Sequence, residues 1–246
     1  MAQMVFKRYE KKYLIDIENY NKILGKISDY TVPDKYGESD VCNIYFDTPD
    51  FRIIRASIQK PVYKEKLRLR SYGTPDDYSP CFLELKKKYK GVVYKRRISE
   101  EYLKGYNYLL NIEDTLPCSQ IKNEIAYFKE IYGNPQPAMN IFYKRRAFYL
   151  KNDKNVRFTF DWDVRYKNYE LDLKNGIYGE KLLPDNKIIM EIKTAGAVPL
   201  WTAEMLNRMC IYPSGFSKYG NAYLKMLSSD TEINKYFFIG ENTNVW

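Results

Sequence analysis

Residues 66–70 read Lys-Leu-Arg-Leu-Arg, and residues 83–86 read Leu-Glu-Leu-Lys. Leucine alternates with charged residues in both stretches, which is the period-two pattern of a strand with one apolar and one polar face. The pattern predicts strands over 62–72 and 81–88. It also predicts that both strands bury their leucine faces against another layer.

The same alternation extends along most of the chain. It predicts further strands over 6–15, 42–46, 92–98, 141–150, 156–164 and 187–194, with a short one around 169–173. Helical spacing and N-cap residues predict helices over 17–27 after Asp16, 100–110 after Ser99, 120–132, 199–210 and 217–227. Strands outnumber helices and are mostly joined locally. The expected fold is mainly β (α+β), in a single domain over residues 1–246, with antiparallel strands and helices packed outside.

Each strand carries its charges on one face. The charged faces contain Glu10 and Lys12; Lys66, Arg68 and Arg70; Glu84 and Lys86; Lys95 and Arg97; Tyr143 and Arg145; Arg157 and Asp161; and Glu191 and Lys193. For any one strand, an ordinary solvated face of an antiparallel sheet explains this pattern. If the leucine faces instead pack outward against helices, the charged faces line the interior of a barrel of about eight strands. Such a lumen requires counter-charge and therefore implies a polyanionic ligand.

The amino-acid composition excludes several classes of catalytic and metal site. The chain has 246 residues, no histidine, and 40 Lys and Arg against 31 Asp and Glu, which gives a net charge of +9. The absence of histidine excludes His-based nucleophilic sites, His general bases and His-ligated metals. The four cysteines are far apart in sequence, so we expect buried reduced thiols and no zinc site. With no apolar run long enough to span a bilayer, we expect a cytoplasmic protein without direct membrane insertion.

Eight segments carry a resemblance to a known family. In order they are 8–13 (Arg-Tyr-Glu-Lys-Lys-Tyr), 45–49, 66–73, 82–86, 143–148 (Tyr-Lys-Arg-Arg-Ala-Phe), 156–161, 190–193 (Met-Glu-Ile-Lys) and 216–219. The sequence resembles the triphosphate tunnel metalloenzyme (CYTH-like) superfamily, and within it the catalytic domain of the vacuolar transporter chaperone (VTC) polyphosphate polymerases. The resemblance implies an eight-stranded antiparallel β-barrel tunnel that binds a triphosphate or polyphosphate with Mn²⁺ or Mg²⁺.

The resemblance also assigns site residues. It matches Lys12, Arg68, Arg70, Lys86, Lys95, Arg145 and Arg157 to the family's phosphate-binding basic residues, and all of these except Lys95 are expected to be catalytic. Tyr143 matches a tunnel tyrosine, Glu191 the metal-binding carboxylate, and Ser217 and Lys218 residues near the end of the tunnel. Glu10, Lys66, Glu84, Arg97, Asp161 and Lys193 share the charged faces, and we expect them, with Lys95, Tyr143, Ser217 and Lys218, to bind substrate.

The function that the resemblance implies is transfer of the γ-phosphate of a nucleoside triphosphate, with ATP the expected donor, to a growing inorganic polyphosphate chain. A metal-dependent triphosphatase and a non-catalytic polyphosphate- or nucleotide-binding module remain alternatives. Arg8 stands where hydrolytic tunnel enzymes carry the first Glu of an ExExK pattern, which favours transfer. We do not expect nucleic acid as a partner, because tyrosines in strands are mostly packing residues. The sequence does not identify a partner that handles the product, and a membrane protein is one open candidate.

Overall fold

A computed structural model describes the backbone of residues 6–229 and the side chains of residues 9–229. The strands are β1 (Phe6–Asp16), β2 (Thr31–Asp47), β3 (Tyr63–Tyr72), β4 (Pro80–Tyr89), β5 (Val92–Glu101), β6 (Gln136–Leu150), β7 (Arg157–Lys167), β8 (Glu180–Lys181) and β9 (Lys187–Thr194). The helices are α1 (Ile17–Ile27), α2 (Arg52–Ile58), α3 (Tyr102–Leu109), α4 (Gln120–Ile131), α5 (Leu200–Arg208) and α6 (Lys218–Ser229). A short 3₁₀ turn covers Leu173–Asn175.

The strands form one antiparallel sheet that curves round into a tunnel. Their order is β6-β2-β3-β4-β5-β1-β9-β7-β8, and an additional pairing of β6 with β7 makes a ring of eight strands, with β8 as an appendage on β7. The pairing between β1 and β5 is the shortest in the ring, because only Phe6–Arg8 pair with Val93–Lys95. The rest of β1 pairs with β9. The predicted mainly-β tunnel with outer helices is confirmed.

The leucine faces point outward and are covered by helices, which is the arrangement that places the charged faces in the interior. Leu67, Leu69, Leu83 and Leu85 are fully buried in a cluster that includes side chains of α3 and α4. Helix α3 lies so close to the sheet that a Cβ added at Gly105 would stand 2.9 Å from Leu83 Cδ1. The charged side chains that alternate with these leucines therefore face the interior of the ring.

Two further apolar clusters complete the core. The outward faces of β1, β7 and β9 pack against α1 and α5. A third cluster lies inside the ring, where the inward side chains Tyr45, Ile141 and Ile189 pack with Tyr219 and Tyr223 of α6. Helix α6 therefore occupies one part of the interior, and the polar part of the lumen begins at its N-terminus.

Several predicted elements need correction. The predicted strand at 169–173 is wrong, because that segment forms bends that lead into the 3₁₀ turn. Ser99 is not a helix cap: β5 continues through it, and Glu101 occupies the N-cap position of α3. Strand β2 begins at Thr31, well before the predicted residue 42, and α2 was not predicted. Asp16 does cap α1, with its Oδ1 accepting from the Asn19 N–H at 2.8 Å.

All four cysteines are free, but only Cys42 and Cys81 are buried. The expectation of four buried thiols is therefore wrong for Cys118 and Cys210, which are exposed. Within residues 6–229, none of the helices has the length and apolar character needed to cross a membrane.

Candidate active site

The inward faces of the strands and the N-terminus of α6 enclose a cavity of about 1310 Å³. Among the described residues, sixteen Lys and Arg side chains line it, against four Asp and Glu side chains. A concave, low-dielectric wall of one charge sign concentrates its electrostatic field in the cavity. The cavity is therefore suited to a ligand with many negative charges.

Strand β3 supplies a row of cations along the lumen. Lys66, Arg68 and Arg70 all line the cavity, and successive members stand about 7 Å apart because alternate residues on a strand repeat at that spacing. Lys66 lies at the α6 end of the row, where its Nζ donates to Ser217 Oγ at 3.2 Å. Ser217 Oγ also accepts from the Gly220 N–H at 3.2 Å, so it caps α6 and directs that helix N-terminus toward the lumen.

A buried carboxylate holds the middle of this row in place. Glu84 is 1% exposed; its Oε2 accepts a hydrogen bond from Arg68 Nε at 2.8 Å and lies 2.6 Å from Arg68 Nη2. Arg70 Nη1 lies 3.8 Å from the same oxygen, and Lys95 contacts the other one. Burial alone would raise the pKa of this carboxyl group, but the three cations hold it well below its usual range.

A second buried carboxylate, Asp161, holds cations in place on the other side of the lumen. Asp161 is fully buried and accepts two hydrogen bonds from Arg145, at 2.6 and 2.8 Å, and one from Lys218 Nζ at 2.5 Å. Burial would raise the pKa of Asp161, but Arg145 and Lys218 lower it. The pair with Lys218 also ties the first turn of α6 to β7.

Glu191 is the carboxylate at the centre of the cationic cluster. Its side-chain oxygens lie 2.6 Å from Lys193 Nζ, 3.4 Å from Lys12 Nζ and 3.6 Å from Lys218 Nζ. Against the effect of burial, these cations hold the pKa of Glu191 well below its usual range. Glu10 has a similar environment, since Lys86 Nζ contacts it at 2.6 Å and its pKa is lowered to about 2 despite burial.

Unlike Arg68 and Arg70 on the same strand, Lys66 has no carboxylate of the described residues within ion-pair distance. Burial, followed by repulsion from Lys12, lowers the pKa of Lys66 to about 7. Burial likewise lowers the pKa of Lys193 to about 8, although Glu191 opposes that shift. A bound anion would remove this penalty, so these lysines mark where phosphate is most favourable.

The structure brings the predicted site residues together, but not all at the surface of the cavity. Fifteen of the seventeen line it: Glu10, Lys12, Lys66, Arg68, Arg70, Lys86, Lys95, Arg97, Tyr143, Arg145, Arg157, Glu191, Lys193, Ser217 and Lys218. Glu84 and Asp161 do not. They lie behind cations of the cavity wall and contact Arg68, Arg145 and Lys218, so we expect them to position these cations. Strand parity gives the face of a residue but not the depth at which its side chain ends.

The cavity also contains residues that the sequence interpretation left out. Lys64 and Lys88 extend the rows on β3 and β4 by one step, and their parity could have identified them. Tyr45 lines the cavity and accepts a hydrogen bond from Arg68 Nη1 at 2.9 Å. Tyr143, which was predicted, similarly accepts from Arg70 Nη2 at 3.1 Å. The two phenols fix the orientation of the two guanidinium groups.

No group of three or more His, Cys, Asp or Glu residues within the described part of the chain could hold a metal ion by itself. Glu191 and Glu10 are nevertheless both on the cavity wall. Mg²⁺ and similar hard cations commonly bind one or two carboxylates and complete their coordination with substrate phosphates and water. The donor set therefore fits a cation shared between the protein and a phosphate ligand, and not a cage made of protein alone.

Comparisons with known proteins agree with this architecture. A candidate adenylate cyclase from Bacillus halodurans has a TM-score of 0.57 and 12% identity, over 87% of this chain and 96% of that one. A candidate adenylyl cyclase from Hippeastrum, described as having a dominant triphosphatase activity, has a TM-score of 0.49 and 16% identity, over 87% of this chain and 93% of that one. At such identities the first likeness shows a shared fold. None of the curated protein sequences matches this chain significantly.

The family model for the VTC domain matches residues 7–227, which include every strand and helix of the tunnel except the last two residues of α6 and the first residue of β1. The predicted resemblance to the VTC family is confirmed. Because this match covers most of the sequence, the chain belongs to the VTC domain family.

Proposed function

We propose that the protein is a polyphosphate polymerase that transfers the γ-phosphate of a nucleoside triphosphate, with ATP as the expected donor, to the end of an inorganic polyphosphate chain inside the tunnel. The observation that carries the proposal is the cavity wall, in which sixteen cations face four carboxylates. An extended polyanion can contact many of these cations at once. Arginine guanidinium groups can hold phosphate oxygens in pairs, while lysines act as point charges.

The reaction needs positioning and charge neutralisation more than covalent chemistry. Arg68 and Arg145 are pre-oriented by buried carboxylates, and Arg70 by the Asn43 amide and the Tyr143 phenol. Little reorganisation is therefore needed when charge develops on the transferred group. The acceptor is the terminal oxygen of a polyphosphate chain, which is already ionised at neutral pH. Transfer to it therefore requires no general base.

The state of the carboxylates favours transfer over hydrolysis. A hydrolase activates water with a base whose pKa lies near the working pH. The pKa values of Glu10, Glu84, Asp161 and Glu191 are all lowered, and each carboxylate is engaged by Lys or Arg. These four groups are therefore poor bases for water.

Glu191 would hold the Mn²⁺ or Mg²⁺ that this proposal includes, with Glu10 nearby. When bound, such a cation offsets negative charge on the transferred phosphate and aligns donor and acceptor. Lys12, Lys193 and Lys218 compensate Glu191 in the ligand-free state. Phosphate oxygens give these lysines a second partner, which makes the carboxylate available to the metal.

Two neighbouring lysines on β4 provide a matched test. Lys86 faces the lumen and pairs with Glu10 at 2.6 Å, whereas Lys87 faces outward and pairs with Glu124 at 3.3 Å. Purified wild type, Lys86→Met and Lys87→Met are incubated with ATP and Mn²⁺, and the products are separated by gel electrophoresis. We expect wild type and Lys87→Met to form polyphosphate and Lys86→Met to form at least tenfold less.

The products also separate the alternatives. Release of orthophosphate without polymer would show a triphosphatase and overturn the proposal. ATP binding without turnover in the presence of either metal would show a binding module. Equal loss of polymer in both variants would mean that the lumen is not the site of the reaction.

A further inference from the structure

Three aromatic side chains form a cluster at the solvent-exposed rim of the cavity. This rim cluster consists of Tyr36, Tyr72 and Phe82, and all three line the cavity. The rings of Tyr36 and Tyr72 are nearly parallel, with an interplanar angle of 6° and centroids 6.3 Å apart. Phe82 meets Tyr72 edge-on at 5.9 Å. Tyr36 is 67% exposed and Tyr72 is 51% exposed, so both rings offer free surface to a ligand.

The cluster continues the row of cations on β3. Lys66, Arg68, Arg70 and Tyr72 alternate along one face of the strand, so Tyr72 lies about 7 Å beyond Arg70, in the direction away from α6. Phe82 is the cross-strand partner of Arg70. A ligand whose phosphates lie along the arginines would therefore place its next chemical group at the aromatic rings.

Tyr36 lies next to Tyr72 because of an irregularity in β2. The pairing of β2 with β6 shifts register between Pro33 and Glu38, and Gly37 adopts a φ of +59° within that stretch. Register shifts of this kind redirect side chains at the rims of barrels. Here the shift coincides with Tyr36, whose ring contacts Tyr72 and the Lys35 ammonium and otherwise stays exposed.

A fourth residue points to a ligand at the same place. The Arg97 guanidinium stacks over Phe82, 4.8 Å from the ring centroid, and lines the cavity. No Asp or Glu of the described chain forms an ion pair with it, unlike Arg68, Arg70, Arg145 and Arg157. Its five N–H donors are thus available to a phosphate, a ribose or a base at the rim.

We propose that the rim cluster is a nucleobase subsite, in which the base of a nucleoside triphosphate stacks on Tyr36 and Tyr72 beside the Arg97 guanidinium. The subsite rests on the proposed function for the phosphate positions and adds to it the place where the base of the donor binds. Flat aromatic surfaces next to cations are the usual means of holding unpaired bases. The cavity therefore favours a nucleoside triphosphate over inorganic triphosphate as the donor.

The test compares the two ligands by isothermal titration calorimetry with the same metal and ionic strength. The variants are Tyr36→Ala/Tyr72→Ala, which removes both rings, and Tyr36→Phe/Tyr72→Phe, which keeps them. Tyr78→Ala is the matched control, because Tyr78 is 79% exposed and does not line the cavity. We expect the double alanine variant to bind ATP about tenfold more weakly, within the range for loss of base stacking. Its affinity for inorganic tripolyphosphate should change less than twofold.

The double phenylalanine variant and Tyr78→Ala should bind both ligands like the wild type. Equal weakening of ATP and tripolyphosphate, or no weakening of either, would overturn the subsite. A failure of the proposed polymerase function can be distinguished from a failure of the subsite. If wild type makes no polyphosphate but the alanine variant still loses affinity for ATP alone, the subsite stands and the polymerase reaction does not.

Discussion

Replacing Glu84 with Gln tests whether buried carboxylates compensate the charge of the empty lumen. The substitution keeps the size of the side chain but removes the only negative charge in contact with Arg68, Arg70 and Lys95 within the described residues. Removing one partner from a buried ion pair costs about 3–5 kcal/mol. For a chain of this length, each kcal/mol corresponds to roughly 2–4 °C, so we expect the melting temperature to fall by about 6–20 °C.

Differential scanning fluorimetry with and without tripolyphosphate measures this effect. The ligand brings the missing negative charge, so it should raise the melting temperature of Glu84→Gln more than that of the wild type. Glu124→Gln is the matched control, because Glu124 contacts Lys87 and Arg96 at 3.3 and 3.4 Å on the outer face. Its loss should cost less than about 1 kcal/mol. A melting temperature of Glu84→Gln within 2 °C of the wild type would refute the argument.

Three other predictions follow from the site. Excess EDTA should reduce ATP-dependent polymer formation to background, and added Mn²⁺ should restore it, because Glu191 and Glu10 can hold a cation only together with phosphate; full activity in EDTA on the same gel assay would contradict the metal role. Affinity for tripolyphosphate should fall as the pH rises from 7 to 9, because the pKa of Lys66 is about 7 and the side chain loses its charge above it. Calorimetry at fixed ionic strength should show a smaller fall in affinity for Lys66→Arg. An identical fall in both proteins would exclude Lys66 as the titrating group. Tripolyphosphate at 100 times its Kd should stabilise the fold by about 2.7 kcal/mol, which raises the melting temperature by roughly 5–10 °C. Orthophosphate at equal ionic strength should raise the melting temperature much less, because it spans only part of the cationic row. Equal shifts of the melting temperature would argue against an extended binding site.

The sequence predicts the strands well where one face must be apolar. The leucines of β3 and β4 define the strands and group the cations between them on the opposite face, but parity alone does not decide whether that face is solvated or lines an interior. The same reasoning fails for β2, because Pro33 and Gly37 resemble a turn although the strand continues through a register shift. Helix α2 has no local signal: its N-cap residue Phe51 makes no side-chain cap, and the backbone N–H groups of its first turn are bound by Asp47.

For the site, parity identifies which residues share a face but gives neither their depth nor their partners. Glu84 and Arg68 share a face in the sequence pattern, yet one is buried beneath the other. The contact between them depends on cross-strand register, which no local pattern of β3 or β4 specifies. Nothing in the sequence distinguishes Tyr36 from the other tyrosines, and only its position at the rim does so.

The strict alternation of leucine and cation in β3 also limits how the protein can change during evolution. A point substitution at an inward position alters one charge and leaves the outer packing intact. One inserted or deleted residue between Leu67 and Arg68 would instead turn every later arginine toward α3 and α4 and every later leucine into the lumen. Changes of length should therefore accumulate in connections such as residues 73–79, while the strands of the ring diverge by substitution alone.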